Sequence, residues 1–281
     1  MNIDERRLEK TKLFAYMIYI TYCGTDFDSF DENKACKSVK GYIKEILEKE
    51  KIKLVKGLQQ AGRTDKNVSA TENIIYFMTT EVNVDRLKKY SLIKDVKKVI
   101  PYLEFPSLIE KRKYIFEYPK EKIKNSYEKI IKLCQELSGY RDYSKFTTKK
   151  GRNILNTFRN IEISYIDGKL YFIGDSFLPH QVRIMSSYIL TNSLKELEGK
   201  YLKLEKIYLK DFLKDLIFER ENLDNPDVIY CEKSKKFTYI YTKDKAKLIG
   251  KNGKNIKKLN ISNKVITVSY THLTLPTICS V

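Results

Sequence analysis

Ala61-Gly62-Arg63-Thr64-Asp65-Lys66-Asn67-Val68-Ser69-Ala70 is the stretch on which the reading of this chain turns. One carboxylate, Asp65, stands among two cations, Arg63 and Lys66, and two hydroxyls, Thr64 and Ser69, with small residues closing both ends. Opposite charges and hydrogen bonds favour the charged form of an acid, so these surroundings are expected to keep Asp65 ionised. An ionised carboxylate on a rigid turn can act as a nucleophile. Spacing alone favours the plainer reading, a salt-bridged turn between two strands.

The chain has 281 residues, enough for two domains of ordinary size, and 42% of them are hydrophobic, enough for real cores. Its formal net charge is +18, from 54 Lys and Arg against 36 Asp and Glu. Such an excess points to a polyanionic partner, most often nucleic acid, although lysines on solvated faces would give the same sum. The 21 tyrosines and 13 phenylalanines add aromatic faces of the kind that stack on unpaired bases, with most of them assigned to the core. Cys23, Cys36, Cys134, Cys231 and Cys279 form no CxxC pair, which argues against a zinc site and a disulfide scaffold. The start MNIDERRLEKTK is too charged for a signal peptide, and no apolar run is long enough to cross a membrane. A reducing cytoplasm is the simplest location.

The tail is set aside. Residues 269–281 contain no Lys, Arg, Asp or Glu, in a chain that is 32% charged. SYTHLTLPT resembles the translation of a transposon adapter used in sequencing libraries, so this segment reads as a scar rather than as fold. On that reading the native C-terminus is absent, and His272 and Cys279 carry no function. His180 is then the one histidine left, and no two-histidine metal site can be built.

Residues 1–12 read as a charged arm and Leu13 to Tyr22 as a buried strand. Ala35, Val39, Ile43 and Ile46 or Leu47 share a face, which predicts a helix over 33–49. A short strand over Ile52 to Val55 enters the Asp65 loop and one over Ile74 to Thr79 leaves it. A helix around 83–92 and a strand near 97–102 complete a first unit, residues 1–105. The second unit, 106–222, opens with a strand at Tyr114 to Tyr118. A helix over 123–137 aligns Tyr127, Ile130, Ile131, Cys134 and Leu137, with Gly139 as its cap. The alternation of Ile161, Ile163 and Tyr165, then Asp167-Gly168, then Leu170 to Ile173, predicts a hairpin. A long helix is expected over Leu178 to Leu197, with Pro179 in its first turn, and another over roughly 203–219. Hairpins mixed with helices favour an α+β fold over a doubly wound sheet.

ENLDNPD at 221–227 reads as a linker to a third segment, 229–268. There a strand at Phe237 to Tyr241 precedes Gly250-Lys251-Asn252-Gly253-Lys254, and a strand at Val265 to Val268 follows. IGKNGKNI resembles the GxxG loop of KH RNA-binding domains, which clamps a nucleic-acid backbone. A truncated β-α-α-β order is expected around it, against the plainer reading of a glycine turn.

The Asp65 stretch resembles the catalytic loop of the TruA-type tRNA pseudouridine synthases, GRTDKGVSA, with Asn67 in place of glycine. Glycine there suggests a positive φ, which asparagine tolerates well. Four further stretches follow the same family in order. Tyr22-Cys23-Gly24-Thr25-Asp26-Phe27 resembles its opening YDGT-x-F, and Arg112-Lys113-Tyr114 its R-x-Y strand. Gly139 to Phe146 resembles G-x-H-D-F-x-x-F, and Ser176 to Arg183 resembles SFL-x-x-QVR. The departures are Asp28-Ser29-Phe30-Asp31, where the family continues with glycine and glutamine, Arg141 for histidine, and Ser186-Ser187 where glycine often follows.

The resemblance implies two synthase α/β subdomains, with mixed or antiparallel sheets flanking a central basic cleft, and the KH-like segment beyond. It implies Asp65, Arg183 and Tyr114 as the catalytic centre, with Arg183 pairing the aspartate and Tyr114 stacking on the target base. Arg63, Thr64 and Lys66 are expected to bind substrate, and Gly250, Lys251, Asn252, Gly253 and Lys254 to bind RNA. The implied partner is tRNA, modified at anticodon-arm uridines by a homodimer. Making pseudouridine adds and removes no atoms, so neither metal nor redox cofactor is required. His180, on the Arg183 face of its predicted helix, is left as structural or as a support to the residues of the centre.

Two rivals stand. Gly57 to Thr64 spells G-x-x-x-x-G-R-T, a P-loop pattern lacking its lysine and a following helix. The other is a non-catalytic RNA-binding protein built from a diverged synthase fold and a KH-like module.

Overall fold

The computed structural model describes residues 3, 5–32, 36–148 and 156–269. The charged arm folds as α1 (Glu5–Lys10), which turns Leu8 inward. The apolar run that follows is β1 (Phe14–Tyr22), buried along nearly its whole length. α2 (Val39–Lys49) starts where the Ser38 hydroxyl accepts the Gly41 N–H, and it buries Val39, Ile43, Ile46 and Leu47. Ala35, expected in this helix, lies outside the described residues. The strand expected at Ile52 to Val55 is reduced to one bridge from Leu54 to Thr79. Instead β2 (Gln59–Gln60) leads into the Asp65 loop and β3 (Ser69–Thr79) leaves it.

The helix expected near 83–92 is a short 3-10 turn, Asp85–Lys89, and β4 (Ile93–Val99) follows it directly. β5 (Ile109–Glu117) carries Arg112 and Tyr114. α3 (Tyr127–Leu137) begins at a Ser126 cap and buries Ile130 and Cys134, while Tyr127 itself is exposed. Gly139 sits just past the helix at φ +104°, as its capping position requires. It opens β6 (Gly139–Asp142), which leads to the hairpin β7 (Phe158–Ile166) and β8 (Lys169–Gly174). Asp167 and Gly168 at the hairpin tip both have positive φ, the geometry of a two-residue primed turn.

α4 (Gln181–Thr191) is shorter than the expected Leu178 to Leu197. His180 is left-handed before it and Asn192 left-handed after it, so neither end can propagate. Residues 203–219 are not one helix: β9 (Leu202–Leu209) takes the first part of the span, then comes one helical turn, α5 (Asp211–Lys214).

These strands form one sheet of order β4-β1-β3-β9-β5-β8-β7-β6, with β2 on β3. All of its pairings are antiparallel except β3 with β9, which run parallel at Ser69 and Ala70. Strands from both expected units share a continuous mixed sheet, joined at the strand that leaves the Asp65 loop.

A second sheet, β10 (Glu219–Glu221), β11 (Tyr230–Lys233), β12 (Phe237–Thr242) and β13 (Lys264–Ser269), ends the described chain. α6 (Lys245–Ile249) and α7 (Lys254–Lys257) lie between β12 and β13, which pair in parallel. Ser269, assigned to the scar, is the last residue of β13, and 270–281 lie outside the described residues. The small sheet docks on the β4 end of the large one. There the buried Lys98 ammonium donates to Glu232, to the Tyr241 hydroxyl and to the Val82 carbonyl, each at 2.7 Å. Burial pushes that ammonium down, partly offset by Glu232.

Candidate active site

The Asp65 loop is held by its backbone neighbours before any charge acts on it. Asn73, fully buried on β3, accepts the Gly62 N–H at 3.1 Å and donates to the Gly62 carbonyl at 2.8 Å. Thr64 hydrogen-bonds the Tyr22 hydroxyl at 2.9 Å. Burial pushes the Tyr22 phenol up to about 12, against the pull of those hydrogen bonds. Asn67 takes φ +62°, the conformation its place in the loop predicts. Two glycines press on the loop from outside. A Cβ on Gly24 would lie 2.4 Å from the backbone of Asn67 and Val68, and one on Gly199 would lie 2.2 Å from the Lys66 carbonyl.

Across the sheet, the start of α4 delivers Arg183, buried to 9% relative exposure. Its Nη1 meets Asp65 Oδ2 at 3.2 Å and its Nε donates to the Leu197 carbonyl at 2.7 Å. Its Nη2 meets Glu196 Oε1 at 3.3 Å, and the other Glu196 oxygen pairs with His180 Nδ1.

Tyr114 comes from β5, opposite Leu204 of β9, where a bulge displaces Glu205. Its ring packs edge-on against Phe177 at 5.2 Å. Burial pushes its phenol well up, so it holds its proton in the free protein. Arg112, two residues earlier, ties the Ala61 carbonyl to that of Asp175, fastening β5 to the loop. Asp65, Arg183, Tyr114, Arg63, Thr64 and Lys66 all line one cleft of about 650 Å³.

The loop's own cations and hydroxyls do not serve Asp65. Arg63 pairs with Asp31 at 2.5 Å and Lys66 with Asp28 at 3.5 Å. Thr64 goes to Tyr22, and Ser69 accepts the Gly24 N–H at 3.0 Å. The partner of Asp65 is the distant guanidinium. No helix follows Arg63; the chain runs into β3, which removes the P-loop reading.

Comparison with known proteins follows the same line. No family model matches the chain. It is 27% identical over 198 residues to "tRNA pseudouridine synthase A" of Picrophilus torridus, covering 66% of this chain and 74% of that one. The protein of the same name from Thermoplasma volcanium is 26% identical, with 74% of this chain and 89% of that one covered. That of Pyrococcus abyssi is 27% identical over 67% and 77%. The chain resembles proteins named tRNA pseudouridine synthase A along most of its length. Among solved structures, a "pseudouridylate synthase" aligns with 72% of this chain and 66% of its own at 11% identity and a TM-score of 0.35, too loose a likeness to carry weight.

Within this family pattern, the departures acquire structural meaning. Asp28 and Asp31, in the stretch that lacks the family's glycine and glutamine, supply the carboxylates that hold Lys66 and Arg63. Arg141 does not line the cleft and donates to the Ser138 carbonyl, and its motif closes the α3–β6 corner, where the Tyr143 hydroxyl donates to the Leu137 and Gly139 carbonyls. Glu196 was not legible in the sequence. It lies beyond the left-handed Asn192, in a segment whose helical reading pointed it elsewhere.

The residues singled out in the third segment are not in this cleft. Gly250 and Gly253 have φ of +71° and +74° and bend the chain between α6 and α7. A Cβ on Gly250 would lie 2.6 Å from the Asn255 side chain, which donates to the Lys247 carbonyl. Lys251, Asn252 and Lys254 are exposed on the outside of that bend.

Proposed function

We propose that this chain converts uridine to pseudouridine in tRNA, within the anticodon stem-loop, with Asp65 as the nucleophile. The observation that carries the proposal is the 3.2 Å contact of Asp65 with Arg183 inside a cleft that Tyr114 also lines. Asp65 attacks the nucleotide covalently, at the sugar or the base. The C1′–N1 bond breaks, the uracil turns, C1′ joins C5 and the bond to Asp65 is released; the proton lost from C5 is matched by one gained at N1. Arg183 balances the carboxylate. Tyr114 stacks on the extruded uracil, a role that a buried neutral phenol suits better than proton abstraction. Arg63, Thr64 and Lys66 meet the flipped nucleotide and its phosphate.

On the cleft walls Arg63, Lys66, Arg112 and Arg183 outnumber Asp31 and Asp65, which supports a basic channel for the tRNA backbone. The β12-α6-α7-β13 order, with GxxG at the helix junction, supports a KH-like second contact through Gly250, Lys251, Asn252, Gly253 and Lys254. The family resemblance adds a homodimer, which light scattering of the purified protein checks. Mapping pseudouridines in tRNA with and without the protein tests the function. A new pseudouridine in the anticodon arm supports it, whereas none on any tRNA would leave a binding protein without catalysis.

A further inference from the structure

All three guanidinium nitrogens of Arg183 are engaged, and only one of them touches Asp65. Nε is held by the Leu197 carbonyl, Nη1 by Asp65 Oδ2 and Nη2 by Glu196 Oε1. An arginine facing a lone carboxylate usually closes on it with two parallel bonds. Here the second arm of the fork is taken, and Asp65 Oδ1 receives no hydrogen bond among the described residues.

We infer that Glu196 is a positioning residue: it splits the Arg183 fork, so that the guanidinium neutralises Asp65 through one oxygen and leaves the other free to attack. The inference rests on the functional reading of Asp65 given above. A doubly bonded carboxylate would be a poorer nucleophile, because both oxygens would have to be freed before either could bond to the substrate. Glu196 is itself fixed at two points. Its second oxygen binds His180 Nδ1, and the following Leu197 carbonyl anchors Nε of the same arginine. Two residues further on, Gly199 lets the chain run directly over the Lys66 carbonyl, so the segment carrying Glu196 and the loop carrying Asp65 are held in register. His180 acquires a role here: from its left-handed position before α4 it braces Glu196.

The test compares Glu196→Ala and Glu196→Gln in the full chain. Alanine frees Nη2. The expected result is a kcat at least tenfold lower, with KM for tRNA unchanged within about twofold, and a crystal structure in which both Arg183 ω-nitrogens lie on Asp65. Glutamine keeps an acceptor for Nη2 and a donor for His180, so Glu196→Gln should stay within about threefold of the parent. Parental kcat in the alanine variant, equal losses in both variants, or a guanidinium that keeps its single contact with Asp65 would each overturn the inference. The crystallographic arm needs no turnover. It decides the fork even if the parent protein makes no pseudouridine, an outcome that would instead remove the functional reading.

Discussion

Arg183 reaches Asp65 across 118 residues of sequence and touches it through a single nitrogen at 3.2 Å. The pairing is made possible by β9, which stitches the two halves of the sheet together beside the Asp65 loop. Arg183→Lys keeps the positive charge but loses the anchor on the Leu197 carbonyl and the second arm to Glu196. Its kcat should fall by on the order of 100-fold with tRNA affinity nearly unchanged, because lysine does not reproduce a fork. Steady-state kinetics with a single tRNA substrate checks this, and a kcat close to the parent's would show that charge alone suffices.

On the proposed function, the acids paired with Arg63 and Lys66 should compete with RNA phosphate. Arg63 is largely exposed and Asp31 one-third exposed in their ion pair, so the pair is weak and readily displaced. Asp31→Asn should tighten tRNA binding by roughly twofold to fivefold at low salt, the range of an exposed pair, and the gain should vanish at high salt. Filter binding over a salt series measures it; unchanged or weaker binding at low salt would contradict the competition.

Affinity should also depend on the bend between α6 and α7. Replacing Lys251 and Lys254 by glutamate should weaken tRNA binding and flatten the slope of log K against log salt by roughly one to two units. Turnover at saturating tRNA should be unaffected. An unaltered slope would reduce Gly250 to Lys254 to a simple turn.

Alkaline pH should unfold the protein early. Burial, its largest cause in each case, raises Tyr19 and Tyr22 to about 12 and pushes Tyr16, Tyr76, Tyr239 and Tyr241 up. A tyrosine whose folded value lies above its unfolded value contributes stability in full below about pH 10, and that contribution is lost as pH rises toward the folded value. Lys98, pushed down, acts with the opposite sign as pH rises toward the unfolded lysine value, but as one group against several. The melting temperature should therefore fall steeply between about pH 10 and 12, with tyrosinate absorbance rising in the same transition. Tyrosines that titrate near pH 10 with no loss of structure would contradict this burial pattern.

The site was more legible than the fold around it. The loop 61–70 and the segment 176–183 follow the family pattern closely enough to name Asp65 and Arg183 before any contact is seen, which their residue types alone would not do. Asn67 declares its positive φ through its residue type alone. The Asp167-Gly168 hairpin was legible for the same reason, since few sequences suit two positive φ values in a row. β9 was misread because the bulge at Glu205 interrupts its alternation. Leu204 and Ile207 are both buried three positions apart, a spacing that imitates a helix face. α4 was overextended because apolar periodicity continues past Asn192, whereas the left-handed turn that stops it is a single-residue event. The partners of Arg63, Lys66, Thr64 and Ser69 could not be read at all. Adjacency in sequence suggested Asp65, but the loop points each of them to a different neighbour.

The most direct measurement of the central claim is the pseudouridine content of tRNA treated with the Asp65→Ala protein, alongside the affinity of that protein for the same tRNA. The account predicts no pseudouridine above background and a dissociation constant within about twofold of the parent's. Pseudouridine formed at the parental rate without the residue 65 carboxylate would contradict it.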